Sequence, residues 1–214
     1  TLDGTDPTDE STKYETPILI TEDTVLKAIV KAQDGTFSDI STFNYFITDA
    51  LQIHDIQGAG HTTPFDNQTV EGIQGVVTYS FTLSGNYYYT IQTPDELVDN
   101  DPNTSEAIML FSGNRAWPIQ VGDLVAVTGK VSEYAYDGYD DRNQTDLKTT
   151  QINVRNDQGG NVTVLQSGVP LPAPIIIDES KMNFEHIDSD SLTLFNPQVD
   201  AIDFWESIEA MRVQ

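Results

Sequence analysis

The stretch "GDLVAVTGKVSEY", Gly122–Tyr134, decides how the rest of the chain is read. Val125, Val127 and Gly129 alternate with Ala126, Thr128 and Lys130, and a Gly-Asp turn leads in. Successive side chains of a strand point to opposite faces, so this period of two makes the segment a strand with one apolar side. The valines are expected to fill an interior, while Thr128, Lys130 and Ser132 face outward.

Working outward, strand-like segments continue on both sides. "TVEGIQGVVTYSF" (69–81) reads as a long strand, with Gly72 and Gly75 suited to a sharp bend. "NYYYTIQTP" (86–94) pairs back after "LSGN", with Gly85-Asn86 as the hairpin turn. "AIMLFSG", "DLKTTQINV" and "NVTVLQS" supply further strands, and "LQIHDIQG" is expected to start one. Several short strands separated by turns predict a closed or nearly closed β-barrel over residues 49–169.

The flanks differ in texture. "PILI", "TVLKAIVKA" and "STFNYFI" predict three short strands of a small, partial β-sandwich over 1–48. Pro170, Pro172 and Pro174 forbid regular ladder pairing, so 170–214 is expected to be an extended connector. It ends in a short helix with Ile202, Trp205, Ile208 and Met211 on one side, Trp205 serving as core anchor. The fold class expected is therefore all-β, with a barrel, a partial sandwich before it and a short C-terminal helix.

Composition narrows the functions. Asp and Glu number 34 against 10 Lys and Arg, a net charge of -24. Such a field repels phosphate backbones at long range, and a generic nucleic-acid binder clusters its cations instead. There is no cysteine, which excludes disulfides, thiolate metal sites and cysteine nucleophiles. No apolar run approaches the roughly 18 residues of a membrane span. The chain opens on "TLDGTDPT" without Met and reads as a segment of a longer protein. No nucleophile elbow, phosphate-binding loop or zinc-protease motif occurs, so catalysis is not expected of these residues. His61 in "GAGHTTPF" reads as a loop-capping residue.

Two family resemblances add to this. "TLDGTDPT" (1–8), "YETPILITEDTVLKAIV" (14–30) and "DGTFSDISTFNYFI" (34–47) resemble the chitobiase/β-hexosaminidase C-terminal type of module, which implies an accessory role. "IHDIQGAGHTTPFDNQTVEGIQGVVTYS" (53–80), "YYTIQTPDELVDNDPNTSEAIMLFSG" (88–113), "VGDLVAVTGKVSEY" (121–134) and "LPAPIIID" leading to "NPQVDAIDFWESIEAMRV" resemble the OB-like domain of bacterial extracellular nucleases of the endonuclease/exonuclease/phosphatase type. That resemblance implies a secreted or cell-surface bacterial protein. It also implies a downstream catalytic domain as partner in the same chain, and contact with DNA or RNA. A carbohydrate- or cell-surface-binding module, or a rigid spacer, stands as the alternative.

Candidate site residues follow. Asp99, Asp101, Asn103 and Glu106 in "DNDPNTSE" have the alternating oxygen donors of a calcium loop, without the glycine and final glutamate of an EF-hand. Asp137, Asp140, Asp141 and Asp146 form a second acidic cluster. For nucleic acid, Tyr87 and Tyr89 would present rings on one face of their strand, beside the cations Lys130, Arg142, Lys148 and Arg155. Trp117 and the tyrosine run are the aromatics for stacking on sugar rings.

Overall fold

The computed structural model describes residues 1–214 except 17, 19, 21–23, 46–49, 136–146 and 183, and, within the strands, the side chain at 44. The chain divides into two compact units, Thr1–Asp49 and Ala50–Gln214.

The first unit contains, among its described residues, one antiparallel ladder. It joins β1 (Thr24–Ala28) to β2 (Ser41–Tyr45), with Leu26 opposite Phe43. The N-terminal residues run along the other edge of β1. Asp3 bridges Val25, and the terminal ammonium donates to the Lys27 carbonyl at 2.9 Å. Lys27 and Lys31 pair with Asp6 and Asp9. No large apolar side chain described in this unit is buried; Val25, Phe37, Phe43 and Tyr45 are all exposed. Of Pro17–Ile20, expected as a strand, Ile18 and Ile20 are described and neither lies in one.

The second unit is all-β apart from two short helices. α1 (Ile53–Gln57) is followed by β3 (Thr69–Leu83), β4 (Asn86–Gln92), β5 (Ala107–Gly113), β6 (Asp123–Tyr134), β7 (Thr149–Asn153), β8 (Asn161–Ser167) and α2 (Ala201–Ser207). The ladder order is β3-β4-β5-β7-β6-β8, and a further β3–β6 pairing closes β3-β4-β5-β7-β6 into a five-membered ring. Within it β5 and β7 run parallel and the other neighbours antiparallel. This is the connectivity of an OB-type barrel.

β6 is the hub. One edge pairs with β3, and the other pairs first with β8 and then with β7. Its alternation holds as expected: Val125, Val127 and Val131 are fully buried, and Lys130 is exposed. Gly129 sits where β7 crosses closest. A Cβ there would lie 2.4 Å from the Asn153 carbonyl oxygen and 2.7 Å from Ile152 Cγ2. Gly72 adopts a φ of +71° inside the register irregularity between Val70 and Ile73, a bulge that bends β3 around the barrel.

Three expectations change. The β3–β4 turn is centred on Ser84 and Gly85, both at positive φ, with Leu83 opposite Asn86. Positive φ at both central residues matches the twist of a tight hairpin. "LQIHDIQG" does not begin a strand but forms α1. Ile53 and Ile56, three apart, fall on one helical face and plug the barrel at 0% exposure. Asp55 accepts the Gln52 N–H at 2.8 Å, and Gly58 ends the helix. In α2 the buried apolar side chain is Phe204, against Phe184, while Trp205 is 45% exposed. The helix ends at Ser207, one turn short of Met211, and its buried residues are Asp203, Phe204 and Ser207.

Candidate functional site

On β4 the inward residues are Tyr89 and Ile91, with Tyr87 packed against the same core. The Tyr89 hydroxyl accepts the Trp117 N–H at 3.0 Å and donates to the Trp117 carbonyl at 3.3 Å. Tyr87 and Tyr89 therefore serve the barrel interior, the reverse of the expected parity, and Tyr88 takes the outer face. Trp117 is likewise structural. It packs on the core and donates its indole N–H to the Val154 carbonyl at 3.2 Å.

Outside, aromatic rings line up across three strands. Phe81 on β3 lies opposite Tyr88, which lies opposite Phe111 on β5. Ring centroids are 4.9 Å apart for Phe81–Tyr88, nearly parallel, and 5.4 Å for Tyr88–Phe111. Tyr79 extends the row at 5.8 Å from Phe81 and is 60% exposed. The irregularity between Val77 and Tyr79 in β3 makes this possible: without it, Tyr79 and Phe81 would share the inward parity of Val77.

The rest of this face is divided. Toward its far end Gln92 and Ala107 are buried, and the Gln92 side-chain carbonyl accepts the Arg212 N–H at 3.0 Å. The C-terminal residues thus lie over that half and pair with the connector, Val213 beside Ile175. At the other end β5 runs from Phe111 into a notch of about 330 Å³, lined by Ser112, Asn114, Arg115, Trp117, Arg155 and Asp157 among others. Arg155 is held there by a two-pronged contact to Asp157, at 2.8 and 3.2 Å. The notch brings together two of the chain's ten cationic side chains. Of the other expected cations, Lys130 stands exposed on β6 and Lys148 is partly buried just before β7. Arg142 and the acidic cluster Asp137, Asp140, Asp141 and Asp146 lie outside the described residues.

The acidic loop between β4 and β5 is held by its own turn contacts. Asp101 Oδ1 accepts both the backbone and side-chain N–H of Asn103, and Asp99 Oδ1 accepts the Asp101 N–H. These turn contacts occupy Asp101 and Asn103 locally. Glu106 is buried and points instead to His54 on α1, its Oε2 lying 3.2 Å from Nδ1. Asp99 Oδ2 lies 3.9 Å from the same nitrogen. Among the described residues, His54, Asp99 and Glu106 form a group whose ligand atoms all fall within 4.8 Å of one another. The sequence signal was the 53/56 helical spacing: once "IHDIQ" is a helix, His54 leaves the barrel face and reaches the loop.

A second acidic group was not expected. Glu133 at the end of β6 meets Glu206 and Glu209 from the C-terminal segment. Burial, then mutual repulsion, pushes the Glu206 carboxyl up to about 8 and that of Glu209 up to about 9; burial also raises Glu133. His61 in turn contacts Asp203 of α2 at 2.7 Å, with Phe195 edge-on to its ring. A cleft of about 440 Å³ lies among Phe184, Phe204, Ile208 and Met211.

Compared with known proteins, residues 1–45 match a family model described as Fn3 associated. The match fits a β-rich accessory module for that segment and covers about a fifth of the chain. No curated protein matches the chain.

Proposed function

We propose that this chain is a non-catalytic accessory region of an extracellular or cell-surface bacterial nuclease or phosphoesterase. Its OB-type barrel holds a single nucleic-acid strand across the outer face of β3, β4 and β5 and positions the catalytic domain. The observation that carries the reading is the aromatic row Tyr79–Phe81–Tyr88–Phe111 running into the Arg115/Arg155 notch. The strand-2 and strand-3 face is where OB barrels take oligonucleotides, and base stacking on an aromatic contributes about 1–3 kcal/mol. Because Phe81 and Tyr88 cover each other's faces, the free stacking surface is that of Tyr79, with ring edges along the rest.

The charge of -24 limits the electrostatic share. With phosphates meeting Arg115 and Arg155, the slope of log K against log salt is expected near about -1.4 for a single strand. Fluorescence anisotropy of labelled oligo-dT and oligo-rU tests this, with cell-wall glycan in parallel. Tyr79→Ala is expected to weaken oligonucleotide binding about fivefold or more without changing stability. Absence of binding at low salt, or glycan binding in its place, overturns the reading.

A further inference from the structure

We propose that His54, Asp99 and Glu106 form a binding site for a divalent transition-metal ion of the zinc class, and that the ion pins α1 to the β4–β5 loop. The inference does not depend on nucleic-acid contact. The donor set sets the class. Calcium takes oxygen ligands alone, whereas imidazole nitrogen beside carboxylate oxygen suits zinc, cobalt or nickel. A tetrahedral ion with bonds of about 2.0–2.1 Å separates its ligand atoms by roughly 3.4 Å. The separations from His54 Nδ1, 3.2 Å to Glu106 Oε2 and 3.9 Å to Asp99 Oδ2, bracket that value.

The carboxylates are also held in position. Glu106 Oε1 accepts the Asp99 N–H at 2.7 Å, which leaves Oε2 directed at His54. Asp99 is fixed by the Asp101 N–H at 2.8 Å and the Thr104 hydroxyl at 2.9 Å. Such outer contacts orient metal ligands and govern their affinity. Among the described residues the ion-pair partner of both carboxylates is His54, so no lysine or arginine competes for the position. Three protein ligands leave a fourth position for water.

The test uses the whole 214-residue chain, stripped with chelator, and ZnCl₂, CoCl₂ or CaCl₂ as probes. One equivalent of zinc is expected to bind by calorimetry. At a hundredfold excess over Kd it should raise Tm by about 5 °C or more. Calcium at equal concentration should leave Tm unchanged. His54→Gln and Glu106→Gln should each weaken zinc binding at least about tenfold and abolish the visible absorption of bound cobalt. His61→Gln, at another partly buried histidine, should retain both. No zinc shift, a shift that survives His54→Gln, or an equal calcium shift overturns the proposal. Should the buried variants fail to fold, Asp99→Asn on the loop decides: zinc affinity unchanged in that protein overturns it.

Discussion

Glu209 Oε2 accepts the Thr150 N–H at 3.3 Å, while Glu209 Oε1 is buried with no hydrogen-bond partner among the described residues. The same segment is tied down by Ser105, whose hydroxyl donates to the Glu209 carbonyl at 2.6 Å. A carboxyl group placed this way against the start of β7, with Glu206 and Glu133 nearby, is easier to bury protonated than charged.

This sets a pH dependence. The folded-state values of about 8 and about 9 for Glu206 and Glu209 lie above the ordinary 4.5. Between pH 4.5 and about 9 the native state therefore binds more protons than the unfolded chain, and stability falls as pH rises through that window. Thermal melts are expected to show a higher Tm at pH 5.5 than at pH 9. Glu209→Gln should flatten the slope. A slope unaltered in that variant would assign the effect to the general negative charge instead.

His61 binds a buried carboxylate. Asp203 is 2% exposed, meets His61 on one oxygen at 2.7 Å, and accepts the Asn196 N–H on the other at 2.6 Å. Removing the imidazole leaves half of that carboxylate unpaired. His61→Ala is expected to cost about 1–3 kcal/mol in urea denaturation. Oligonucleotide affinity should be unaffected, since the aromatic row lies on other strands.

Two glycines separate close approach from backbone conformation. Gly129→Ala forces a methyl group into the Asn153 carbonyl and Ile152, and is expected to cost about 1–3 kcal/mol. Gly72 has nothing within 4 Å of its would-be Cβ, but its φ is +71°. Gly72→Ala should cost about 1–2 kcal/mol through the backbone alone. Equal losses in a variant with d-alanine introduced at 72 by semisynthesis would contradict that division.

Tyr89 and Tyr79 should respond in opposite ways. Tyr89→Phe removes the two contacts to Trp117 and is expected to lower stability by about 1–2 kcal/mol. Tyr79→Ala, on an exposed ring, should leave the denaturation midpoint nearly unchanged.

Much of the fold was legible because β6 and β8 carry clear signals: alternating valines in one and a turn-bounded "NVTVLQS" in the other. Parity at β4 was not. Three consecutive tyrosines look alike from either side, and the side that faces inward is set by pairing with β3 and β5, which local sequence does not carry. In the acidic loop, expected from its alternating donors, Asp99 Oδ1 and Asp101 Oδ1 accept hydrogen bonds from the loop itself. The partner that changes its chemistry, His54, stands 52 residues from Glu106 along the chain. The buried glutamates were illegible for the same reason, since Glu133 and Glu209 meet only through the tertiary fold.

The three-fold sharing of β6 has a consequence for how the protein comes to exist. The ring needs Met109 beside Gln151 and Val70 beside Gly129, partners far apart in the chain. The cylinder therefore stays open during synthesis until residues beyond 150 have left the ribosome. Loop closures of that span slow folding relative to proteins rich in local contacts. Until then the aliphatic stripe of β3 waits uncovered, and a nascent polypeptide as strongly anionic as this one has its own mutual repulsion to keep neighbouring copies from sticking at that stage.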